Sequence, residues 1–432
     1  MKMSQSPRLA GASPANEPAR RGWRLPPVTW AVMTTTLTLL AACGGGGGGT
    51  PASPAPTGSA SSLQASRPGE LLAHVKTLLQ ARGIQGAEVA KTLYDGTGLI
   101  AVPVTTAGAP TAGGSVAQSN TTVQEAGVEE EDLIKSDGKT LYTLSGATSG
   151  KPLLNVHARG VDGKLQALQT LSLPFDAEAS PFVRGMLLAT TARRLAVSAE
   201  ETRFVGLPSP CPPGAMCIAG DMIWAPTAMK SQVHLATLDL AANGTASLGT
   251  RLAIDGRLVG TRQIGNLVYL VTTYSPQLAW DALPATATVA DREAALAKLS
   301  LADVLPSVRV NGGAAQPLVA ETDCYVQPKN ASLAMQVTTV TAIDLGSPTL
   351  SRASRCFVGG TEAMYMSTGS LYLATTRTAY AEDASGGMAR IRYVAKTTTD
   401  VHKFTAAGTS ITYRGSGEVP GHLGWDGERK PY

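Results

Sequence analysis

The cysteines of this chain can take part in different chemistry according to where they lie in the sequence. The sequence holds five cysteines, of which Cys43 lies near the N-terminus and Cys211, Cys217, Cys324 and Cys356 lie far downstream. The downstream four can form two disulfide bonds or a zinc site. Zinc is the weaker alternative because no C-x-x-C spacing occurs. The disulfide pairing depends on the elements that carry each thiol.

The other side chains that commonly catalyse reactions form no recognised catalytic pattern. Three of the five histidines, His157, His234 and His402, recur at or beside one position of a repeated strand, so we interpret them as structural. No Gly-x-Ser-x-Gly, His-Glu-x-x-His or phosphate-binding glycine loop occurs. The acidic run within 125–132 lacks the spaced ligands of a calcium loop and suits a solvated or blade-closing strand edge. The sequence therefore predicts no catalytic residue, no cofactor and no metal.

The first 42 residues have the parts of an export signal. Three arginines between positions 20 and 24 precede an apolar stretch, Val28 to Ala42. That stretch is short for a spanning helix, which needs about 20 residues. Because Cys43 directly follows Leu-Ala-Ala, the junction resembles the lipobox of bacterial lipoproteins, which implies a diacylglycerol on the Cys43 thiol. Gly44 at the next position implies, by the same resemblance, the outer membrane, with the folded part periplasmic or surface-facing. An uncleaved anchor and an ordinary cleavable signal remain alternatives.

The distribution of charge argues against nucleic acid as a partner. The chain has 36 basic and 32 acidic residues, a formal net charge of +4. The leader contributes five basic residues and one acidic residue, so the rest of the chain carries 31 of each sign. Apolar residues make up 43% of the chain, enough for a sizeable core, and 46 glycines with 27 prolines indicate many turns rather than a coiled coil.

Two segments connect the leader to the main body. Residues 43–67 are predicted to be a disordered tether, because the part over 44–62 contains only Gly, Thr, Pro, Ala and Ser. Within 68–118, residues 68–82 are predicted to form an amphipathic helix, followed by a loose stretch. We expect its apolar stripe to pack on the main domain, with a partner protein as the alternative. The stripe comprises Leu71, Leu72, Val75, Leu78 and Leu79.

The chain over 119–432 repeats the same order of four short β-type runs four times. The second run of each unit follows a turn, and these runs are LYTLS (141–145), RLAVSA (194–199), LVYLVTTY (267–274) and LYLATTR (371–377). Tandem units of four antiparallel strands predict an all-β fold, a β-propeller in which each unit is one blade. A β-sandwich is the alternative, but it would not need the same order of strands four times.

One segment resembles the signature of a known family. TVQEAGVEEEDLIKSDGK (122–139) is similar to VQExGVDEADxVKTDG, the opening pattern of bacterial and archaeal secreted proteins with a C-terminal β-propeller domain distantly related to WD-repeat propellers. Glu129 and Glu131 stand at its Asp and Ala positions. TTDVHKF (398–404) and GSGEVPGHL (415–423) also resemble family segments. The resemblance covers about 119–423 and implies no established activity. Because family members continue with further blades, it also implies a C-terminally short chain and an incomplete ring or open arc.

The insertions between the repeats fall at one kind of connection. The second and third runs are joined directly in the first unit but by about 201–231, 274–335 and 378–398 in the others. All three insertions are therefore expected on one face, where repeat proteins tend to bind ligands, although neutral decoration is the alternative. Cys211 and Cys217 share the first insertion. Cys324 ends the second, and Cys356 ends a strand that returns to the same face, so we favour the pairs Cys211–Cys217 and Cys324–Cys356.

The insertions also supply the candidate binding residues. We expect a non-catalytic envelope lipoprotein whose propeller binds a protein or a polysaccharide, or acts as a scaffold. The alternative is an exported hydrolase of glycans or esters, and a glycosidase would need two carboxylates about 5–9 Å apart. The candidate binding face comprises the aromatic residues Trp224, Tyr274, Trp280, Tyr325, Tyr380 and Tyr393.

Overall fold

A computed structural model describes residues 61–80, 123–146, 151–175, 181–205, 228–276, 278, 283, 287–328, 335–383 and 392–421. All of these residues lie in one compact unit of the chain, Pro56–Tyr432. The predicted export signal, Cys43 and the predicted pair Cys211–Cys217 lie outside the described residues.

The last residues of the predicted tether have a defined structure. Strand β1 (Gln64–Ala65) pairs with residues 325–326, and Leu63 and Ser66 are buried. The tether assigned to 43–67 is therefore wrong over its last residues, because this short stretch gains backbone hydrogen bonds that composition alone does not predict. Helix α1 follows over residues 70–80. Its stripe is buried as expected, with Leu71, Val75 and Leu79 fully inaccessible.

Four sheets follow, one for each sequence repeat, and the four strands that each repeat supplies are antiparallel, which confirms the all-β prediction. Sheet 1 and the first four strands of sheet 2 are meanders, in which each strand pairs with the next strand along the chain. The strands of sheet 1 are β2 (Ile134–Ser136), β3 (Thr140–Ser145), β4 (Leu153–Arg159) and β5 (Leu165–Ser172). Those of sheet 2 are β6 (Phe182–Ala189), β7 (Arg194–Val205), β8 (Ala228–Leu240) and β9 (Ala246–Asp255).

The third repeat is interrupted after its second strand. In chain order its elements are β10 (Arg257–Ile264), β11 (Leu267–Tyr274), α2 (Val289–Lys298), α3 (Leu301–Val304), β12 (Ser307–Val310), β13 (Gln316–Pro317), β14 (Cys324–Val326), β15 (Val337–Asp344) and β16 (Arg352–Val358). Sheet 3 has the order β1-β14-β16-β15-β11-β10. Its central strand β15 is buried along almost its whole length, as its β-branched sequence VTTVTAID favours.

The interruption of the third repeat extends the outer edges of two sheets. β12 and β13 continue sheet 2 beyond β9, whereas β14 lies parallel to β16 and continues sheet 3. We expected this insertion to form part of a binding face. Its described strands instead complete sheet edges, because their unpaired backbone groups find partners there.

The fourth repeat forms sheet 4. Its strands are β17 (Ala363–Met366), β18 (Ser370–Asp383), β19 (Arg392–Ala407) and β20 (Ser410–Pro420). The insertion predicted over 378–398 is mostly a continuation of β18 and β19, which pair without interruption out to Asp383 and Arg392. The insertion predicted over 201–231 likewise begins and ends as the paired arms of β7 and β8. The described arms of both insertions, 201–205, 228–231, 378–383 and 392–398, therefore extend hairpins.

Three apolar clusters hold successive sheets together. Sheets 1 and 2 share a cluster that includes Tyr142 and Leu195, and sheets 2 and 3 share one that includes Leu235 and Leu270. Sheets 3 and 4 share a third, which includes Phe404. Among the described residues, no further cluster joins sheet 4 back to sheet 1. A separate cluster packs α1 against α2, α3 and sheet 3.

Candidate functional site

The acidic segment after Gln124 lies along the first strands of the sheets. Glu129 pairs with Gln263 of β10 and Asp132 with Met186 of β6, after which the chain becomes β2. The Tyr365 hydroxyl in β17 donates to the Glu125 carboxylate at 2.8 Å. One segment thus contacts or continues into the first strand of each of the four repeats.

The acidic side chains of this segment have partners within the protein. Glu130 forms an ion pair with Arg262 (N···O 3.1 Å), and Glu131 accepts a hydrogen bond from the Ser198 hydroxyl at 2.5 Å. The buried Lys135 lies 3.4 Å from Glu129. Among the described residues, no group of three metal-ligating side chains could hold a metal ion. The segment therefore acts as a structural strap that bridges the first strands of different sheets.

The recurring histidines with clear partners are structural. His402 is fully buried, its Nδ1 lies 2.7 Å from the Ser416 hydroxyl, and its ring meets Phe357 edge-on. Burial lowers the pKa of His402 to about 4. His234 is buried with its Nε2 3.0 Å from the carboxylate of Glu201, and burial likewise lowers its pKa. Both histidines are neutral at pH 7 and lie between packed sheets.

Cys324 and Cys356 form a disulfide bond, the pairing favoured from the sequence. The two residues are register partners of the parallel strands β14 and β16, and both are buried. Helix α1 packs in the same cluster. The bond ties the end of the third-repeat insertion to sheet 3.

Tyr274 and Tyr325 are the two residues of the expected aromatic face whose side chains the structure describes. Tyr325 packs against Phe404 and Tyr413 between sheets 3 and 4. Tyr274 is half-buried, and burial together with Asp255 and Asp303 raises its pKa. Trp224 and Trp280 lie outside the described residues. Tyr380 and Tyr393 lie in the paired arms of β18 and β19, and their side chains are not described.

The same face carries a cleft that the aromatic residues did not predict. We call it the helix–sheet cleft. It has a volume of about 420 Å³ and is lined by α1, the start of β10, the end of β11, the middle of β18 and the connection from β16 to β17. His74 and Leu78 of α1 form one wall. The rest of the lining combines apolar side chains, from Leu258, Val259 and Val358, with hydroxyl and amide groups, from Thr273, Ser275, Gln336, Thr361, Thr375 and Thr376.

Two charged residues border the cleft. Glu362 accepts a hydrogen bond from the Thr376 hydroxyl at 2.8 Å, and Arg257 forms an ion pair with Glu200 at 3.2 Å. Burial lowers the pKa of His74, so its imidazole is neutral at pH 7. Among the described lining residues Glu362 is the sole carboxylate. The cleft can thus donate and accept several hydrogen bonds but does not hold a pair of acid and base carboxylates.

A glycine keeps the floor of the cleft open. A Cβ atom at Gly360 would lie 1.9 Å from Oε1 of Gln336, so no larger residue fits without displacing that side chain. The pair Gly359-Gly360 between the third and fourth repeats is the sequence feature that could have indicated this cleft. Sequence reasoning missed it because His74 and Thr376 come together only in the folded chain.

Comparison with known proteins identifies the repeated region. A family model described as a beta propeller domain matches residues 118–425. No curated protein matches the sequence. Among solved structures, the chain is similar to a mutant of the Synechocystis apocarotenoid oxygenase, at 11% identity and a TM-score of 0.19. That alignment covers 66% of this chain and 59% of the oxygenase, and a similarity this low carries no argument. None of the described helices has the length and apolar character needed to cross a membrane.

Proposed function

The chain belongs to the family of the beta propeller domain, and from that premise we propose that it is a non-catalytic binding module of the cell envelope with its ligand site in the helix–sheet cleft. The observation that carries the proposal is the composition of the cleft. Its lining includes hydroxyl and amide groups from six side chains together with the imidazole of His74. Ligand sites are typically clefts of this size with a few convergent polar groups.

A polysaccharide segment suits this cleft better than a protein surface. Threonine and serine hydroxyls both donate and accept hydrogen bonds, which matches the hydroxyl groups of a sugar. The cleft is concave and narrow, whereas protein interfaces usually bury about 800 Å² per partner on a broad, shallow surface. Binding without hydrolysis follows from the lining, since a glycosidase needs two carboxylates about 5–9 Å apart and the described lining has only Glu362.

The N-terminal region supports a location at the membrane. The Leu-Ala-Ala-Cys43 junction is the basis for proposing a lipid on the Cys43 thiol, and two acyl chains anchor a protein stably. As a flexible tether, which the composition of 44–60 predicts, this stretch would span roughly 20–25 Å. Replacing Cys43 by serine should move the protein from the membrane fraction to the soluble fraction, and unchanged fractionation would contradict the anchor.

Binding to a glycan array tests the site. The full chain with Cys43→Ser is compared with Thr376→Val and Thr273→Val, which remove a hydroxyl from the cleft and keep the side-chain shape. Each variant should weaken binding about threefold to tenfold, the usual value of one hydrogen bond. Thr412→Val, at an exposed position on β20 away from the cleft, is the matched control and should bind normally.

Two outcomes would count against the proposal. Equal binding by the cleft variants and by Thr412→Val would mean that glycans are held elsewhere. Turnover of a bound glycan that Glu362→Gln abolishes would mean that the protein is a hydrolase and not a binding module.

A further inference from the structure

Each described junction between successive sheets is closed by the same kind of hydrogen bond. A side chain near the start of one sheet's second strand donates to a carbonyl in the turn between the third and fourth strands of the next sheet. Tyr142 Oη donates to the carbonyl of Gly244 at 3.4 Å, and Tyr269 Oη donates to that of Gly408 at 2.8 Å. At the junction between sheets 2 and 3, Arg194 takes this role and donates to Leu345 at 2.6 Å.

Sheet 4 carries a fourth donor. Tyr372 is the third residue of its second strand, β18, just as Tyr142 is in β3 and Tyr269 is in β11. Its neighbours Leu371 and Leu373 pack towards sheet 3. Because side chains alternate along a strand, Tyr372 lies on the opposite face of sheet 4. No hydrogen bond holds its hydroxyl among the described residues.

Sheet 1 carries a matching acceptor turn. In the turn over 160–164, Gly163 N–H donates to the Gly160 carbonyl at 3.0 Å, and Gly160 N–H donates to that of Lys164 at 2.8 Å. The turn over 241–245, which receives Tyr142, has the same two bonds at 2.9 and 2.8 Å. Gly163 and Gly244 also share a positive φ, 77° and 87°. The turn over 160–164 of sheet 1 therefore has the same hydrogen bonds as the acceptor turn over 241–245. Among the described residues, no neighbouring sheet donates a hydrogen bond to it.

The faces around these two groups remain exposed. On sheet 1, Ile134 and Leu165 lie on the face turned away from sheet 2, and each is 54% exposed. On sheet 4, Tyr365 is 38% exposed and lies beside Tyr372, with ring centroids 6.0 Å apart. The equivalent faces inside the chain are covered by a neighbouring sheet.

We propose that these faces dock on each other between two copies of this chain, with Tyr372 Oη of one copy donating to the Gly163 carbonyl of the other. Each face is expected to pack against a four-stranded sheet. Sheet 4 carries the donor, the Tyr372 hydroxyl, and sheet 1 carries the acceptor, the Gly163 carbonyl, so a second copy of this chain provides the partner for each. Its own sheet 1 does not cover its own sheet 4 in the structure. The interface is head-to-tail, so two copies close a ring when the rotation between them permits it, and more copies assemble otherwise.

Sedimentation velocity over a range of concentrations tests the proposal, with Cys43→Ser in every chain to exclude lipid effects. The full chain should associate with increasing concentration. Tyr372→Asp blocks the sheet 4 face and Leu165→Asp blocks the sheet 1 face, because each places a charge in an apolar interface, and each variant alone should be monomeric. Val289→Asp, at an exposed apolar position of α2, is the matched control and should associate normally.

Mixing the two blocked variants separates docking from misfolding. An equimolar mixture should form a one-to-one dimer, since one copy retains sheet 1 and the other retains sheet 4, whereas the double variant should remain monomeric. Tyr372→Phe should raise the dissociation constant about threefold to tenfold through loss of one hydrogen bond. A full chain that stays monomeric at every concentration overturns the proposal, whether its sheets 1 and 4 pack on each other or are covered by another part of the chain. Failure of the Tyr372→Asp and Leu165→Asp variants to form a dimer when mixed also overturns it.

Discussion

Glu321 caps the N-terminus of helix α1 by accepting the backbone N–H of Leu71 at 3.1 Å, across 250 positions of sequence. Its second carboxylate oxygen accepts the N–H of Gly69 at 3.0 Å. The first N–H groups of a helix have no partner within the helix, and a carboxylate there also interacts favourably with the helix dipole. The third-repeat insertion therefore holds in place the helix that forms one wall of the cleft.

Removal of this cap should loosen α1. Glu321→Ala is expected to lower the free energy of unfolding by about 0.5–2 kcal/mol, the usual range for a lost N-cap. Glu293→Ala, at an exposed site on α2, is the control and should change it by less than about 0.5 kcal/mol. Urea denaturation followed by circular dichroism measures both. Equal values for the two variants would show that the cap contributes nothing.

The tyrosine hydrogen bonds between sheets should differ in strength with their length. Tyr269→Phe removes a bond of 2.8 Å and should cost about 1 kcal/mol of unfolding free energy. Tyr142→Phe removes a longer bond of 3.4 Å and should cost less. The two changes are chemically identical, so each serves as the other's control in urea denaturation. A larger loss at Tyr142 would contradict this assignment of their strengths.

Stability should depend on pH through His402. Burial holds its folded-state pKa at about 4, whereas the unfolded chain takes up a proton near pH 6.5. The folded state therefore binds fewer protons between these values. The contribution of His402 is full above about pH 6.5 and is lost as the pH falls towards 4, by an amount on the order of 3 kcal/mol.

The variant His402→Gln isolates this effect. Urea denaturation from pH 7 to pH 4.5 should show a steeper loss of unfolding free energy in the wild type than in the variant. His234 remains in both proteins, and since burial lowers its pKa as well, a shared slope of the same sign should persist. Parallel curves for the two proteins would exclude His402 as the titrating group.

The disulfide should contribute strongly to stability because it closes a long loop. Cys324 and Cys356 are 32 positions apart, and a loop of that length predicts a loss of about 3–4 kcal/mol when both are changed to alanine. Changing Cys211 and Cys217 together should cost less, because the predicted loop between them is much shorter. Peptide mapping without reductant checks both pairs, and a crossed pairing such as Cys217–Cys324 would be incompatible with the structure.

Local patterns in the sequence were sufficient for the sheets. The four strand runs of each repeat, such as those around Leu141 and Leu371, became the strands of one antiparallel sheet. Period-two alternation and positive-φ turn residues act over a few neighbouring positions, so they can be read without a structure. The stripe of α1 and the pairing of Cys324 with Cys356 were predicted for the same reason: spacing and position along the repeats limited the alternatives.

The tertiary structure alone decided which residues meet. Aromatic composition suggested Tyr325 as a binding residue, yet the ring is part of the packing between sheets 3 and 4. The insertion strands β12 and β14 joined the edges of two different sheets, and His74 and Thr376 came to line the same cleft. These contacts join positions far apart in the chain. They form because many weak packing contacts and the hydrogen bonds of strand edges together stabilise one arrangement, and no local sequence pattern contains the total of these contributions.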